Sequence, residues 1–165
     1  MSHAIGSILP EPLLERLRGT DLPNRLGIAI LVATPDEGGW PHPAMLSYGE
    51  IVAVDSQRIR LAVHRTSRTA ANLRRSGRIT FWFLESGMAY YVKGSAVERA
   101  PLDGFSHLAC FEAAVQAVLA DAARADSEPG AAVVDGVRFS FGRSEAAVVR
   151  DWSAVLERLR EEPCG

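Results

Sequence analysis

Short apolar runs separated by turn-forming clusters dominate the first two thirds of the chain, a pattern typical of β-strands joined by tight turns. Residues 26–33 (LGIAILVA) are apolar and rich in branched side chains, and residues 58–64 alternate strictly between apolar and other side chains. The segment 79–84 (ITFWFL) predicts a further strand, and residues 88–100 predict its return, with Gly94 as the expected bulge. These segments predict an antiparallel sheet.

Two other regions also have strand character. Residues 41–48 and 50–54 are interpreted together as one long strand, with Gly49 at the position of a bulge and residues 55–57 as the following hairpin turn. Residues 137–141 (VRFSF) alternate and predict a final strand after the tight turn at Asp135 and Gly136. The total is about six strands.

Four segments have helical patterns. Residues 9–18 predict a short leading helix, and Ser67 is a typical N-cap for a second helix that ends at Gly77. A third helix is predicted from residue 105 to about residue 124, and a fourth over residues 144–162. The apolar stripe of the third consists of Phe105, Leu108, Phe111, Val115, Val118, Leu119 and Ala122.

Only the helix after Ser67 resembles a crossover between strands, so a parallel sheet with repeated long helices is not expected. The pattern predicts a mainly β fold, a small six-stranded antiparallel barrel decorated by helices. We expect one domain over residues 1–165, with a leading helix at about 10–18, the barrel at about 26–142 and a C-terminal helix at about 145–162. A chain of this length can bury a core without disulfides.

The formal net charge of −2 hides an uneven distribution. Seven arginines and no acidic residue lie between positions 58 and 78: Arg58, Arg60, Arg65, Arg68, Arg74, Arg75 and Arg78. That segment carries +7, so the remainder of the chain carries −9. Such a concentration suits an anionic ligand, and the alternative is a solvated arginine face.

Several classes of function lack their sequence signals. The two cysteines, Cys110 and Cys164, favour a reducing cytoplasm over a disulfide scaffold, and we expect a cytoplasmic protein without a signal peptide or membrane span. No His, Cys and Asp cluster has the spacing of metal ligands, so no metal is expected. A Gly-x-Ser-x-Gly elbow of serine hydrolases is also missing.

The unit IRLAVHRTSRTAANLRRSG, residues 59–77, is a strand followed by a helix that begins with Ser67, Arg68 and Thr69. A helix N-terminus offers unpaired N–H groups and partial positive charge, and hydroxyls with a guanidinium there can hold a phosphate. The alternative is an ordinary helix whose first turn Ser67 caps.

Residues 26–100 resemble the pyridoxamine 5′-phosphate oxidase-like FMN-binding split-barrel family. The resemblance rests on GWPHPAMLS, IRLAVHRTSRTAANL and GRITFWF, which follow one another in the order and at the spacing of that family. It implies a split β-barrel that binds FMN as a homodimer, with the cofactor at the subunit interface. It also implies a flavoprotein with a small-molecule substrate, NAD(P)H among the candidates, and no nucleic acid or membrane partner.

The resemblance also implies positions for the cofactor. The phosphate is expected near Ser67, Arg68 and Thr69, with Ser47 as a further candidate. The flavin ring is expected along two strands, at Met45, Leu46 and Ser47 and at Ala62, Val63 and His64. Ala62 and His64 alternate with the core residues of their strand, which agrees with this position. No catalytic residue is identified, although His64, a histidine beside the expected ring position, is a candidate for a catalytic role.

The sequence departs from the family at two places. Thr69 stands where many members have lysine, so Arg65 or Arg74 would have to supply a phosphate charge. Residues 102–116 lack the Tyr, Arg and Ser set of true pyridoxine-phosphate oxidases, so synthesis of pyridoxal phosphate is not expected. Trp82 is out of phase with Phe81 and Phe83 and is expected at a dimer interface.

Alternatives to an FMN oxidoreductase remain at this point. One is a flavin-binding or storage protein without turnover, and another is a related barrel that binds deazaflavin or haem. A nucleic-acid-binding barrel would use the basic stretch but lacks the interleaved exposed aromatic side chains that stack on bases.

Overall fold

The computed structural model describes residues 2–123 and 126–161. Within these residues eight strands and three α-helices form, together with a short 3-10 helix at Leu22–Arg25. The strands are β1 (Ser2–Gly6), β2 (Ala29–Pro35), β3 (Pro41–Ser47), β4 (Ile51–Asp55), β5 (Arg58–His64), β6 (Arg78–Glu85), β7 (Met88–Glu98) and β8 (Leu108–Asp121). The helices are α1 (Glu11–Arg16), α2 (Arg68–Ser76) and α3 (Glu145–Arg160).

The strands form one antiparallel sheet in the order β3-β2-β6-β7-β8-β5-β4, and β1 pairs with β8. Strands β3 and β4 stand at opposite ends of this order, yet only residues 48–50 join them. Seven flat strands would separate them by about 29 Å, whereas four Cα steps reach at most about 15 Å. The sheet therefore curls until its two ends meet at this link, which confirms the mainly β barrel-like fold.

The link between β3 and β4 corrects one expectation. Residues 41–48 and 50–54 are not one bulged strand, because β3 pairs with β2 and β4 pairs with β5. Gly49 lies in a turn, where a Cβ would lie under 3.0 Å from the indole of Trp152. Glycine is needed there for this close approach.

The core lies inside the curl and is built by alternating side chains. Ile59, Leu61 and Val63 of β5 are buried, as are Phe81 and Phe83 of β6. This is the face that the alternation predicts.

The predicted helix over residues 105–124 is wrong, because residues 108–121 form β8 between β7 and β5. Lys93 pairs with Ala117 and Gly94 with Val115, so Gln116 has no partner on β7. This bulge changes which side chains face the core, from Phe111 and Val115 before it to Val118 after it. The three larger buried side chains, Phe111, Val115 and Val118, are therefore separated by four and three positions, a spacing that imitates a helix.

A bulge beside Gly94 was expected, and the register shift between Lys93 and Gly94 confirms it. The predicted final strand over residues 137–141 is wrong, since only an isolated bridge between Ile28 and Arg138 forms there. The described residues thus form eight strands where the sequence indicated about six.

A leading helix forms at Glu11–Arg16 and a C-terminal helix at Glu145–Arg160, so both are shorter than the sequence indicated, and residue 162 lies outside the described residues. Helix α3 packs against β4 and β5. Ala62 was expected on the non-core face of β5, but that face is not open there, because Ala62 and the neighbouring Arg60 are both buried. Nε of Arg60 donates to Glu112 at 2.7 Å, and its Nη1 donates to the carbonyl of Leu159 at 3.0 Å.

Cys110 is buried and free, and Cys164 lies outside the described residues. Across residues 2–123 and 126–161, no helix has both the length and the apolar character that a membrane crossing requires.

Candidate functional site

Helix α2 begins where Ser67 caps it. The Ser67 Oγ accepts a hydrogen bond from the Ala70 N–H at 3.1 Å, and the helix ends at Gly77 with a left-handed φ of 62°. Within the described part of the chain, no acceptor is bonded to the backbone N–H groups of Arg68 and Thr69. Two free N–H groups therefore mark the positive end of this helix.

The seven arginines of the basic stretch divide into two groups. Arg58, Arg60 and Arg74 form ion pairs with carboxylates, at N···O distances of 2.8, 2.7 and 2.6 Å. Among the described residues, the remaining four have no such ion pair: Arg65, Arg68, Arg75 and Arg78. All four are exposed. The basic stretch is therefore not a uniformly solvated arginine face, which was the alternative to an anion site.

Arg65 and Arg68 flank the N-terminus of α2. Arg74 binds Glu98 with two nitrogens and also donates to the Arg65 carbonyl at 2.9 Å. Its positive charge is therefore paired with the Glu98 carboxylate. This pair lowers the pKa of Glu98 below its usual range. Arg65 and Arg68 are consequently the side chains available to an anion at this end of the helix.

Thr69 has a different environment from its two neighbours. It is only 5% exposed, whereas Arg68 is exposed and Ser67 is half-buried. A buried hydrogen bond of 3.0 Å, from Asn72 Nδ2 to Thr34 Oγ1, holds α2 against β2 at the same time. The face of α2 that bears Thr69 is therefore a packing face.

The predicted ring-contacting residues of β5 are mostly covered. Ala62 and Val63 are buried, and only His64 is exposed. The His64 Nδ1 lies 2.9 Å from the Thr66 Oγ1, and its ring centre lies 6.2 Å from that of His107. Of this group, His64 alone can present its side chain to a ligand.

The predicted residues of β3 line a cavity of about 480 Å³ at the corner where β3 meets β4. Met45 is 61% exposed, and Ser47 and Leu46 are buried. The other walls are Glu50, Phe139, Phe141 and Trp152. The Phe141 ring lies 4.9 Å from that of Phe139 and 5.5 Å from that of Trp152, measured between ring centres. Aromatic walls of this kind suit a flat ring.

Glu50 joins the two predicted ring segments. Its Oε2 accepts hydrogen bonds from the Ser47 N–H at 2.6 Å and the Ser47 Oγ at 2.7 Å, and its carbonyl accepts from the Ala62 N–H at 2.8 Å. Burial raises the pKa of Glu50, and the bonds from Ser47 oppose that rise in part. A carboxyl that holds its proton to higher pH thus stands at this cavity.

The neighbouring residue Tyr48 fixes the corner from the core side. Its hydroxyl donates to Glu85, which also binds Arg16 of α1. Burial and the Glu85 carboxylate raise the pKa of Tyr48, so the phenol stays protonated. The corner is therefore attached to both β6 and α1.

The sequence did not identify Glu50, Phe139, Phe141 or Trp152 as site residues. The two phenylalanines lie in the segment predicted as the final strand, and Trp152 lies in the predicted fourth helix. About ninety positions or more separate these aromatic residues from Ser47, and no local pattern signals a contact over that distance.

An apolar row crosses the outer face of the sheet. Leu31 pairs with Met45 on one side and Trp82 on the other, Trp82 pairs with Tyr91, and Tyr91 pairs with Leu119. Directly paired residues share one face, so these five side chains lie side by side. Trp82 is half-buried here, outside the core formed by Phe81 and Phe83, as its phase indicates.

No group of three or more His, Cys, Asp or Glu side chains in the described ranges could hold a metal ion.

Comparison of the sequence with known proteins identifies the family of this chain. The chain is 33% identical over 153 residues to the Bacillus subtilis protein described as uncharacterized protein YclD, which covers 92% of the chain and 96% of the relative. The chain belongs to the YclD family. No family model matches it.

Solved structures identify the fold of this YclD relative. A Lactobacillus delbrueckii protein named as a candidate pyridoxamine 5′-phosphate oxidase superposes with a TM-score of 0.57, at 13% identity, over 70% of the chain and 97% of that protein. An FMN-binding protein of Syntrophomonas wolfei gives a TM-score of 0.52, at 19% identity, over 68% and 88%. The fold is the split barrel of pyridoxamine 5′-phosphate oxidase-like and FMN-binding proteins.

Proposed function

We propose that this chain is an FMN-binding oxidoreductase that works as a homodimer, with the cofactor at the subunit interface. The observation that carries the proposal is the N-terminus of α2, where, within the described residues, two N–H groups and the guanidinium of Arg68 have no acceptor or ion pair. Unpaired helix N–H groups and a cation are the groups that bind a phosphate. The split-barrel fold and the FMN-binding description of the Syntrophomonas wolfei protein support the same cofactor.

The residues present fit FMN at both of its ends. Arg68 and Arg65 would hold the phosphate, and the buried position of Thr69 makes the two arginines its main source of charge. The ring would occupy the corner cavity beside Met45 and Ser47 and would contact its aromatic walls. FMN, when bound, supplies hydride and single-electron transfer.

The proton chemistry of the site would come from Glu50. Its Oε2 accepts two hydrogen bonds from Ser47, which leaves Oε1 as the oxygen that carries the proton. Because burial raises its pKa, the carboxyl can hold that proton closer to neutral pH than an exposed glutamate can. Glu50 is thus the proposed proton donor at the ring.

Titration of the purified protein with FMN, followed by flavin fluorescence and absorbance, tests the anchor. Arg68→Ala should weaken binding by about 1.5–3 kcal/mol, the range for a hydrogen bond to a charged group. Arg150→Ala removes an equal charge from an exposed position on α3 and should leave the affinity unchanged. Equal affinities of wild type and Arg68→Ala would contradict the phosphate site.

Turnover separates an oxidoreductase from a flavin-storage protein. The FMN-loaded dimer is mixed with NADH or NADPH, and flavin bleaching is followed without oxygen. Reduction within the mixing time supports an enzyme, whereas bound FMN that stays oxidised with both donors supports storage. If the purified protein had the absorption spectrum of haem or deazaflavin, that molecule and not FMN would be the cofactor.

The proposed dimer interface is the outer apolar row that contains Trp82 and Tyr91. A row of five apolar or aromatic side chains facing solvent is more than a monomer usually exposes, and a second copy would cover it. Light scattering should give twice the 17.8 kDa chain mass at micromolar concentration, and Trp82→Glu should give the monomer. A monomeric wild type would refute the interface.

A further inference from the structure

The apolar row on the outer face of the sheet is too small to hold two copies of the chain together by itself. Four of its five side chains are half-buried, and only Met45 is mostly exposed, at 61%. The row therefore offers roughly half or less of the about 800 Å² that each partner buries in a stable interface. A second copy that covers this row must also contact neighbouring parts of the outer face.

Two basic side chains extend the outer face beside the row. Lys93 of β7 pairs with Thr80 of β6, and Thr80 stands two residues from Trp82 on the same strand. Lys93 therefore lies on the face that bears the row, one layer towards the start of β6. Arg78 lies one layer farther along β6, and both cations are exposed. Within the described residues, neither of them forms an ion pair.

A groove of about 460 Å³ is lined by these two cations. Gln116, the residue of β8 without a partner on β7, also lines it. No aspartate or glutamate lines this groove, although the whole chain has a formal net charge of −2. The groove is thus a positively charged depression that can receive an acidic loop.

The turn at residues 36–40, between β2 and β3, is an acidic loop. Asp36 Oδ1 fixes its shape by accepting hydrogen bonds from the N–H groups of Gly38 and Trp40, each at 2.9 Å. Glu37 is exposed and, in the described part of the chain, has no ion pair. Trp40 is 75% exposed. A fixed turn therefore presents a carboxylate and an indole to solvent.

The geometry of the sheet determines where this turn lies in a dimer. β2 runs from Leu31 in the row, past Ala33 beside the groove, to its end at the turn. A two-fold axis parallel to the strands stacks the two rows and keeps these strand ends at the same level. It also reverses the order of the strands across the interface. The turn of the second copy then lies over β7 and β8, on the side of the groove that bears Lys93 and Gln116.

We propose that the turn at residues 36–40 of a second copy docks in this groove and completes the interface, an inference that rests on the proposed dimer. Glu37 of the partner subunit approaches Lys93 and Arg78, which supply the opposite charge. Trp40 of the partner subunit adds an aromatic side chain, a type that is enriched at interfaces. Because a two-fold dimer contains this contact twice, it fills both grooves.

Charge reversal tests the contact, with the dimer dissociation constant measured by light scattering over a dilution series. Glu37→Lys and Lys93→Glu should each raise this constant at least about tenfold, because an exposed ion pair contributes up to about fivefold and the contact occurs twice. An equimolar mixture of the two variants should dimerise about as tightly as wild type. In the mixed dimer each turn meets a groove residue of opposite charge, whereas in each variant alone the two charges have the same sign.

Arg150→Glu and Glu157→Lys are the matched reversals at exposed positions of α3, and they should leave the dissociation constant unchanged, alone or mixed. Trp40→Ser should raise it at least about tenfold. Dimers that tolerate both groove and turn reversals, or a mixture no tighter than either variant alone, would overturn this contact and leave the proposed dimer standing. A monomeric wild type would overturn the dimer and the contact together, and the FMN titration with Arg68→Ala then decides the cofactor site independently.

Discussion

Gly49→Ala tests how closely α3 packs on the corner between β3 and β4. An added Cβ would lie under 3.0 Å from three indole atoms of Trp152, Cγ, Cδ1 and Cδ2, a separation that real Cβ atoms do not show. The φ of Gly49 is not in the left-handed region, so the cost of alanine is steric and not conformational. The indole must therefore move away from the turn.

The magnitude follows from the burial of Trp152, which is 8% exposed and packs edge-on against Phe141. Inserting a methyl into such a contact destabilises a protein by about 1–3 kcal/mol. Trp152→Ala alone should cost about 3–5 kcal/mol. In that background Gly49→Ala should cost almost nothing, because its clash partner is gone, which gives a coupling energy of about 1–3 kcal/mol.

Urea unfolding of the four proteins of this cycle, followed by far-UV circular dichroism, measures the coupling. Near-UV circular dichroism of Gly49→Ala should also change, since Trp152 moves relative to Phe141. Gly142→Ala is the control, because a Cβ there meets nothing within 4 Å and its φ is not left-handed. It should change stability by no more than about 0.5 kcal/mol. Additive costs at Gly49 and Trp152 would refute the reasoning.

Two further substitutions test buried polar groups. Because burial raises the pKa of Glu50, this carboxyl binds its proton more tightly in the folded protein than in the unfolded chain. The protonated carboxyl therefore stabilises the fold below the unfolded pKa, and this stabilisation is lost as the pH rises through the folded pKa. Urea unfolding should therefore show Glu50→Gln gaining stability relative to wild type from pH 4 to pH 7, and a constant difference would contradict this. Arg60→Met should cost about 3–5 kcal/mol in the same assay, since it removes the donor to Glu112, which keeps only the longer ion pair to Arg99, and the donor to the carbonyls of Leu159 and Glu161. Adding Glu112→Gln should recover part of that loss, and a cost below 1 kcal/mol would mean that Arg60 does not anchor α3.

Features that depend on neighbouring residues were encoded locally and could be predicted. Ser67 and Gly77 fix the two ends of α2 through bonds to residues three or four positions away. The alternation in β5 and β6 identifies core side chains because a strand has a period of two. The unequal distribution of arginines could also be predicted, and the anion site that it indicates stays a prediction.

Features that depend on distant pairing were decided only in the folded chain. The β8 segment is rich in alanine and its apolar spacing imitates a helix, but pairing with β5 and β7 satisfies its backbone as a bulged strand. The burial of Ala62 and Arg60 likewise cannot be predicted from the sequence of β5 itself. Tertiary contacts override local propensity where, as here, packing and hydrogen bonding contribute more free energy.

The candidate site shows the same division. The exposed position of Arg68 at the start of a capped helix could be predicted, whereas the corner cavity depends on the curl of the sheet. A three-residue link brings the two ends of the sheet together, and this closure sets Glu50 beside Ser47 and Ala62. Phe141 and Trp152 then reach the cavity from about a hundred residues farther along the chain. Because such contacts join residues with no shared local pattern, only the tertiary structure could decide them.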